Sequence, residues 1–189
     1  AIEDWMPLVH QVERCFPHTV LEIQVGEGDA PMRWLLREEA DLAVIIGRCD
    51  NRLATQIEAY QLGEMEFVTV VDARCLVSNS DDDVAALPQI LVADYEDAVT
   101  GYGVVEGHRH WRVSDHRIKA ALIAAGKGWG SLPWALAEPA LKTGRLAPVS
   151  YRGMPAHTQQ PYFLCRKLNR ALGPVAGYIW NGALAGAPQ

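Results

Sequence analysis

The sequence predicts an α/β fold divided into two lobes with a cleft between them. Short apolar stretches of strand character alternate with helical stretches of roughly 8 to 12 residues, the pattern of βαβ units and a mostly parallel sheet. The chain leaves one lobe near residue 72 and comes back near residue 148, because two strand signals return after an intervening set of elements. With 189 residues, 49% of them apolar, there is ample material for one large domain or two lobes. Open α/β sheets bind ligands beyond the carboxyl ends of their strands. Two such lobes facing each other make a clamp that can hinge.

The elements follow in order. Trp5–Phe16 carries apolar residues at a period near 3.6, with Pro7 in its first turn, where a missing N–H is harmless. Strand signals fall at Val20–Val25, Leu42–Ile46, Phe67–Val71, Ile90–Val92, Trp111–Val113, Ala147–Ser150 and Tyr162–Cys165. Asp29 is a plausible N-cap for a helix over Pro31–Arg37. Ser114 and Asp115 open a helix over His116–Ala125, and Gly126 stops it. Trp134–Thr143 stops at Gly144, and Pro174–Leu184 is the last helix before a small-residue tail. Two segments break the rhythm: Arg74–Pro88, which holds Asp81-Asp82-Asp83, and the glycine-dotted loop Asp94–His110. Loops that long are usually functional or mobile.

Composition removes several function classes. Seventeen Lys+Arg against twenty-three Asp+Glu give a net charge of −6, a poor balance for neutralising a phosphate backbone. No apolar run is long enough to span a membrane. Cys15, Cys49, Cys75 and Cys165 form no local zinc-finger pairing, and free, mostly buried thiols in a reducing cytoplasm are the reading. A redox-sensing pair brought together by the fold is the sharper alternative. His108-Arg109-His110 and His116 lack a completing acidic or thiol set, so a solvated loop is expected rather than a metal site. Asp81-Asp82-Asp83 lacks the glycine and glutamate of a calcium loop and reads as a solvated helix start. No Gly-x-Ser-x-Gly elbow is present, and no catalytic group, metal or cofactor is expected.

Several residue strings carry a family likeness. Met6-Pro7-Leu8, Phe16-Pro17 and Val20-Leu21-Glu22-Ile23 are followed by Leu35 and by Ala40-Asp41-Leu42-Ala43-Val44. Later come Ala125-Gly126-Lys127-Gly128-Trp129-Gly130-Ser131-Leu132-Pro133, Leu141-Lys142 with Gly144-Arg145-Leu146, and Pro161-Tyr162-Phe163-Leu164. In order and spacing this resembles the effector-binding domain of LysR-type transcriptional regulators over essentially the whole chain. Glu38 stands where that family usually has Gly, and Arg74-Cys75-Leu76-Val77 matches the family's His-Pro-Leu-Ala poorly. The resemblance implies two Rossmann-like lobes, similar to type 2 periplasmic binding proteins, with the cleft between them. Lobe I would take residues 1–71 plus 148–189 and lobe II residues 72–147. The family's first strand and its N-terminal winged helix-turn-helix are not found in this chain, which reads as trimmed at its front.

Candidate ligand contacts are placed where strands end. Gly28 and Asp29 sit in a strand-to-helix turn whose N–H groups could face a ligand. Arg48 follows the strand Leu42–Ile46 and could hold a carboxylate by a two-pronged bond; a surface ion pair is the plainer alternative. Asp94 and Tyr95 follow the strand Ile90–Val92 and match a family position near the effector. Ser114 and Asp115 cap a helix and offer a second role as ligand contacts. Trp129 is read either as a pocket wall or as packing.

The resulting expectation is a ligand-sensing module, not an enzyme, of a cytoplasmic bacterial regulator. Its partners would be a small-molecule effector, often an acid in this family, and further copies of itself in a homodimer or homotetramer. Contacts between copies would use the helices Trp5–Phe16 and His116–Ala125. DNA would be touched only through the N-terminal domain not found here, with RNA polymerase as a candidate partner and no membrane. A solute-binding protein of a transport system, and less so an enzyme using the cleft, are the rival readings.

Overall fold

The computed structural model describes residues 6–47, 55–78, 81–92 and 103–185. The chain divides into two compact units, one of Ala1–Gly26, Ala30–Glu64 and Pro161–Gln189, the other of Glu27–Asp29 and Met65–Gln160. Six α-helices and seven strands occur among the described residues: α1 Met6–Cys15, α2 Ala30–Leu36, β1 Ala43–Ile46, β2 Ile57–Asp72, α3 Asp81–Ala85, β3 Gln89–Val92, β4 His110–Val113, α4 His116–Ala124, β5 Trp129–Pro133, α5 Trp134–Lys142, β6 Leu146–Pro148, β7 His157–Lys167 and α6 Pro174–Ala185. A short 3-10 helix, Ala73–Cys75, follows β2. Two of the unit boundaries fall inside strands, in β2 and in β7.

In the first unit β7 lies between β1 and β2. β1 runs antiparallel to β7, with Ala43 opposite Cys165 and Ile46 opposite Tyr162. Met32 and Leu35, one helical turn apart on α2, bury against Ala43, Ile57 and Cys165. α1 and α6 meet through an edge-on pair of rings, Phe16 and Tyr178, with centroids 5.5 Å apart. Glu38 takes a positive φ of 63° where the resembling family has glycine, and its carboxylate holds Lys167 Nζ at 2.6 Å. A glycine adopts that conformation without the steric cost that Glu38 bears.

In the second unit the order is β2-β5-β3-β4, with β6 on β2. β2 is antiparallel to both β5 and β6, whereas β3 is parallel to β4 and to β5. This corrects the mostly parallel sheet expected from the alternation of elements. Strand direction is set by long-range return of the chain, which local pattern does not carry. Alternation along β2 then builds two cores. Val68 and Val70 pack with Ile90, Ile123, Leu132, Ala137 and Leu146, while Val71 packs with Val84, Val105, Trp129, Val149 and Tyr151.

A second correction concerns Val20–Val25, which forms no strand. Its apolar residues are exposed, Val20 at 94% and Val25 at 83%. A strand is held by a ladder, and among the described residues no strand pairs with this one. The acidic run Asp81-Asp82-Asp83 does open a helix, α3. Cys15, Cys75 and Cys165 form no disulfide with one another, and only Cys165 is buried, so the expectation of mostly buried thiols does not hold among them. Cys49 lies outside the described residues. No helix among the described residues is long and apolar enough to cross a membrane.

Buried polar groups of the second unit are tied to backbone. Thr69 Oγ1 donates to Pro155 O at 3.0 Å, and Asp72 accepts from Arg74 N, Nε and Nη2. Those bonds hold the Asp72 carboxyl below the usual carboxylate range. Gln89, 1% exposed, pins the loop before β4: its Nε2 donates to Gly103 O at 2.6 Å and its Oε1 accepts from Val105 N at 2.9 Å. Gln89→Leu keeps the volume but strands both backbone groups, so it is expected to cost about 2–4 kcal/mol by urea unfolding. A loss below about 0.5 kcal/mol would show that Gly103 and Val105 find other partners.

Candidate functional site

The parallel set of the second unit brings the carboxyl ends of β3, β4 and β5, at Val92, Val113 and Pro133, to one edge. α4 and α5 begin there. Asp115 caps α4 in extended conformation, its Oδ1 accepting from Arg117 N at 2.7 Å and Ile118 N at 2.8 Å. Phe67 lies opposite Pro133 on β2, and its ring centroid is 6.3 Å from that of His116.

The segment Glu27–Asp29 belongs to this unit, and Glu27 Oε2 stands 3.6 Å from His116 Nε2. Burial raises the Glu27 carboxyl, with the Asp115 charge adding to it; the backbone N–H of His116 and the Lys119 charge oppose. Burial, then the Lys119 charge, drives His116 down to about 4, against the pull of Asp115. The imidazole is therefore neutral at pH 7. Its approach to Glu27 has the spacing of an ion pair without the second charge, and the polar contact is the correct description. His116 Nδ1 is buried with no hydrogen-bond partner.

Lys119 lies one turn further along α4 and is 5% exposed. It packs on Gly130 of β5: a methyl group there would sit 2.8 Å from Lys119 Cε and 3.2 Å from Nζ. Its ammonium makes no hydrogen bond or ion pair among the described residues. Burial pulls its pKa down to about 8, while the Glu27 charge raises it. The edge thus gathers a buried cation, a neutral imidazole with a vacant ring nitrogen, and a carboxyl of raised pKa.

The sequence from residue 3 to 179 matches the family model described as the LysR substrate binding domain. The chain belongs to this family. Among solved structures the LysR domain is similar to the full-length LTTR LysG from Corynebacterium glutamicum, with TM-score 0.65 and 21% identity over 96% of this chain and 62% of that one. A second LysG structure, with bound effector Arg, has TM-score 0.64 at 20% identity, again over 96% of this chain and 62% of that one. The regulatory domain of MetR from N. meningitidis, in a form with two cysteines replaced by serine, has TM-score 0.63 at 18% identity over 98% of this chain and 90% of that one. At these identities the likeness shows the fold, which is periplasmic-binding-protein-like. The chain spans about 62% of the full-length LysG structures. No curated protein matches the sequence closely enough to count as a relative.

The LysR domain distributes the expected contact residues unevenly. Gly28 is exposed, with φ of 59°, and Asp29 is exposed directly before α2; both sit beside Glu27 in the segment that joins the second unit. Ser114 is exposed and Asp115 caps α4. Arg48, Asp94 and Tyr95 lie outside the described residues. Trp129 is 0% exposed and edge-on to Tyr151 and His108, at 5.2 and 5.6 Å. It packs in the buried cluster with Val71, Val84 and Tyr151.

The solvated-loop expectation for the histidines also changes. His108 and His110 are half-buried; His110 begins β4 and its Nε2 is 3.0 Å from Val105 O. His108 Nε2 lies 2.7 Å from Leu87 O and 3.2 Å from Trp129 Nε1. One ring nitrogen cannot both donate and accept, and the shorter contact assigns the proton to the bond toward Leu87 O. No cluster of three metal-ligating side chains occurs among the described residues.

Lys119 and the role of Glu27 were missed by sequence reading. The signal for Lys119 was available: it stands four residues before Ile123, on the buried face of α4. A lysine depressed to about 8 binds its proton less tightly folded than unfolded. Its penalty is fully present below pH 8 and is relieved as pH rises toward the unfolded value. Relative to Lys119→Met, the parent domain should gain up to about 3 kcal/mol between pH 8 and 10.5. Parallel urea midpoints for the two proteins across that range would contradict the burial of the charge.

Proposed function

We propose that this chain is the effector-binding regulatory domain of a LysR-type transcriptional regulator. The observation that carries the reading is the family match over residues 3–179, supported by near-complete coverage of the isolated MetR regulatory domain, 90% of it. The LysG structure with bound effector Arg supports a small charged metabolite as the kind of ligand. The effector would settle between lobes formed by residues 1–71 plus 148–189 and 72–147, and would shift an oligomer's conformation only as far as it prefers one state. Gly28, Asp29, Arg48, Asp94, Tyr95, Ser114 and Asp115 are the proposed contacts, with Trp129 bracing the wall from behind.

The domain performs no chemistry on its ligand in this reading. It works in the cytoplasm as a homodimer or homotetramer, with DNA bound by a winged helix-turn-helix elsewhere in the protein and RNA polymerase as the downstream partner. Exposed apolar residues on α1 and α4, Met6 at 41% and Ile118 at 44%, support those helices as contacts between copies. The charge of −6 fits a part that senses and leaves phosphate contacts to another domain.

Thermal-shift screening of amino acids and small acids is expected to return a stabilising compound. In the complete regulator that compound should change operator affinity or the DNA footprint. A compound that binds tightly and leaves both unchanged would overturn the regulatory reading. Arg48→Ala should weaken an acidic hit by about 10- to 100-fold, the range for a lost charge-assisted pair. Unchanged affinity removes Arg48 from the site.

A further inference from the structure

We propose that Lys119 is the counter-ion for a carboxylate on the effector, and that His116 Nδ1 accepts a hydrogen bond from a hydroxyl or amine beside that carboxylate. The ligand class is a small 2-hydroxy or 2-amino acid. This rests on the effector-binding reading above and goes on to name the ligand's recognised end.

Two groups at the head of α4 lack partners, and they lie one turn apart on the same helix face. Lys119 is 5% exposed, and its ammonium has no hydrogen bond or ion pair among the described residues. His116 Nδ1 is buried without a partner. An ammonium without a direct partner on a side chain only 5% exposed is costly to a fold, and packing alone is better served there by Leu or Met. The carboxylates nearby are occupied otherwise. Asp115 spends Oδ1 on two backbone N–H groups of α4. Glu27 turns Oε2 to His116 Nε2 at 3.6 Å rather than to the ammonium.

The imidazole geometry fixes what a ligand must bring. With Nε2 facing a carboxylate, the ring proton belongs on Nε2, which leaves Nδ1 a lone pair. An acceptor with no donor calls for a ligand O–H or N–H. The ammonium feels the Glu27 charge but makes no direct ion pair or hydrogen bond with it, so a ligand carboxylate would supply that contact. Residues three apart on a helix bring their Cβ atoms to about 5–6 Å, so adjacent groups of one small molecule reach both. Gly130 makes room for the Lys119 side chain itself, since any side chain there would displace Lys119 Cε. The raised carboxyl of Glu27 and the depressed Lys119 are consequences of the same dry setting.

The test uses the 189-residue chain and three matched sets: lactate, propanoate and lactamide; malate, succinate and malamide; mandelate, phenylacetate and mandelamide. In at least one set the hydroxy acid should raise Tm most, its deoxy form less, and its amide not at all. Lys119→Met and Lys119→Gln should each weaken the acid by about 10- to 100-fold. His116→Phe should bring the hydroxy acid and its deoxy form to equal affinity while acid binding persists. Acids that bind Lys119→Met as tightly as the parent overturn the proposal, as do amides that bind as well as their acids. If neutral compounds alone stabilise the chain, the sensing reading survives and this inference falls. If nothing in a wider screen shifts Tm, both fall.

Discussion

Close approach of β5 to β3 is the constraint on which the second unit depends. A Cβ on Gly128 would sit 2.6 Å from Pro88 O, and one on Gly130 would sit 2.7 Å from Ile90 O. No side chain fits at either place, so the glycine spacing in Gly128-Trp129-Gly130 is required by the backbone next door. The residue between them points its indole into the core that Val71, Val84 and Tyr151 share. The gap above Gly130 is where the Lys119 side chain lies. One pair of glycines therefore permits the strand pairing, seats Trp129, and opens the niche that a buried cation occupies.

How much of this was legible depends on where the deciding force acts. α4 was readable to within a residue, because an N-cap at Asp115 and a stop at Gly126 are local devices; Gly126 has φ of 70° and its N–H reaches Ile123 O at 2.9 Å. α5 ends before Gly144, φ also 70°, for the same reason. Long strands were cut short. Only Phe67–Val71 of β2 and Tyr162–Cys165 of β7 read as strand, because their other halves carry residues such as Glu58, Gln61, Glu64, His157 and Gln159. Val20–Val25 failed in the opposite direction. Its composition suits a strand, but a strand is a property of a pair, and composition names no partner.

The site divides along the same line. Asp115 was legible as a cap because capping is local, whereas the approach of Glu27 to His116 was not, because the two are distant in sequence. Trp129 showed the limit of reasoning from type: an aromatic in a glycine-rich loop suits a ligand wall and a core equally, and only its burial decides. Lys119 is the instructive residue. A polar residue on the inward stripe of an otherwise ordinary helix contradicts the fold's own pattern, and such contradictions concentrate where function is served.

The polar interior sharpens that point. Thr69, Asp72 and Gln89 are all nearly fully buried, and each is bonded to backbone or to Arg74. Satisfied groups of this kind hold loops in place and need no ligand to account for them. The Tyr151 hydroxyl is buried without a partner, but its ring belongs to the aromatic core with Trp129 and is kept there by packing. Lys119 and His116 Nδ1 have no such account, and they sit together at the carboxyl edge of a parallel strand set, where α/β folds bind ligands. Leaving both open costs the fold stability. An acid that satisfies both would remove the cost only in the state where it binds, and that difference between states is what a ligand needs in order to shift an equilibrium.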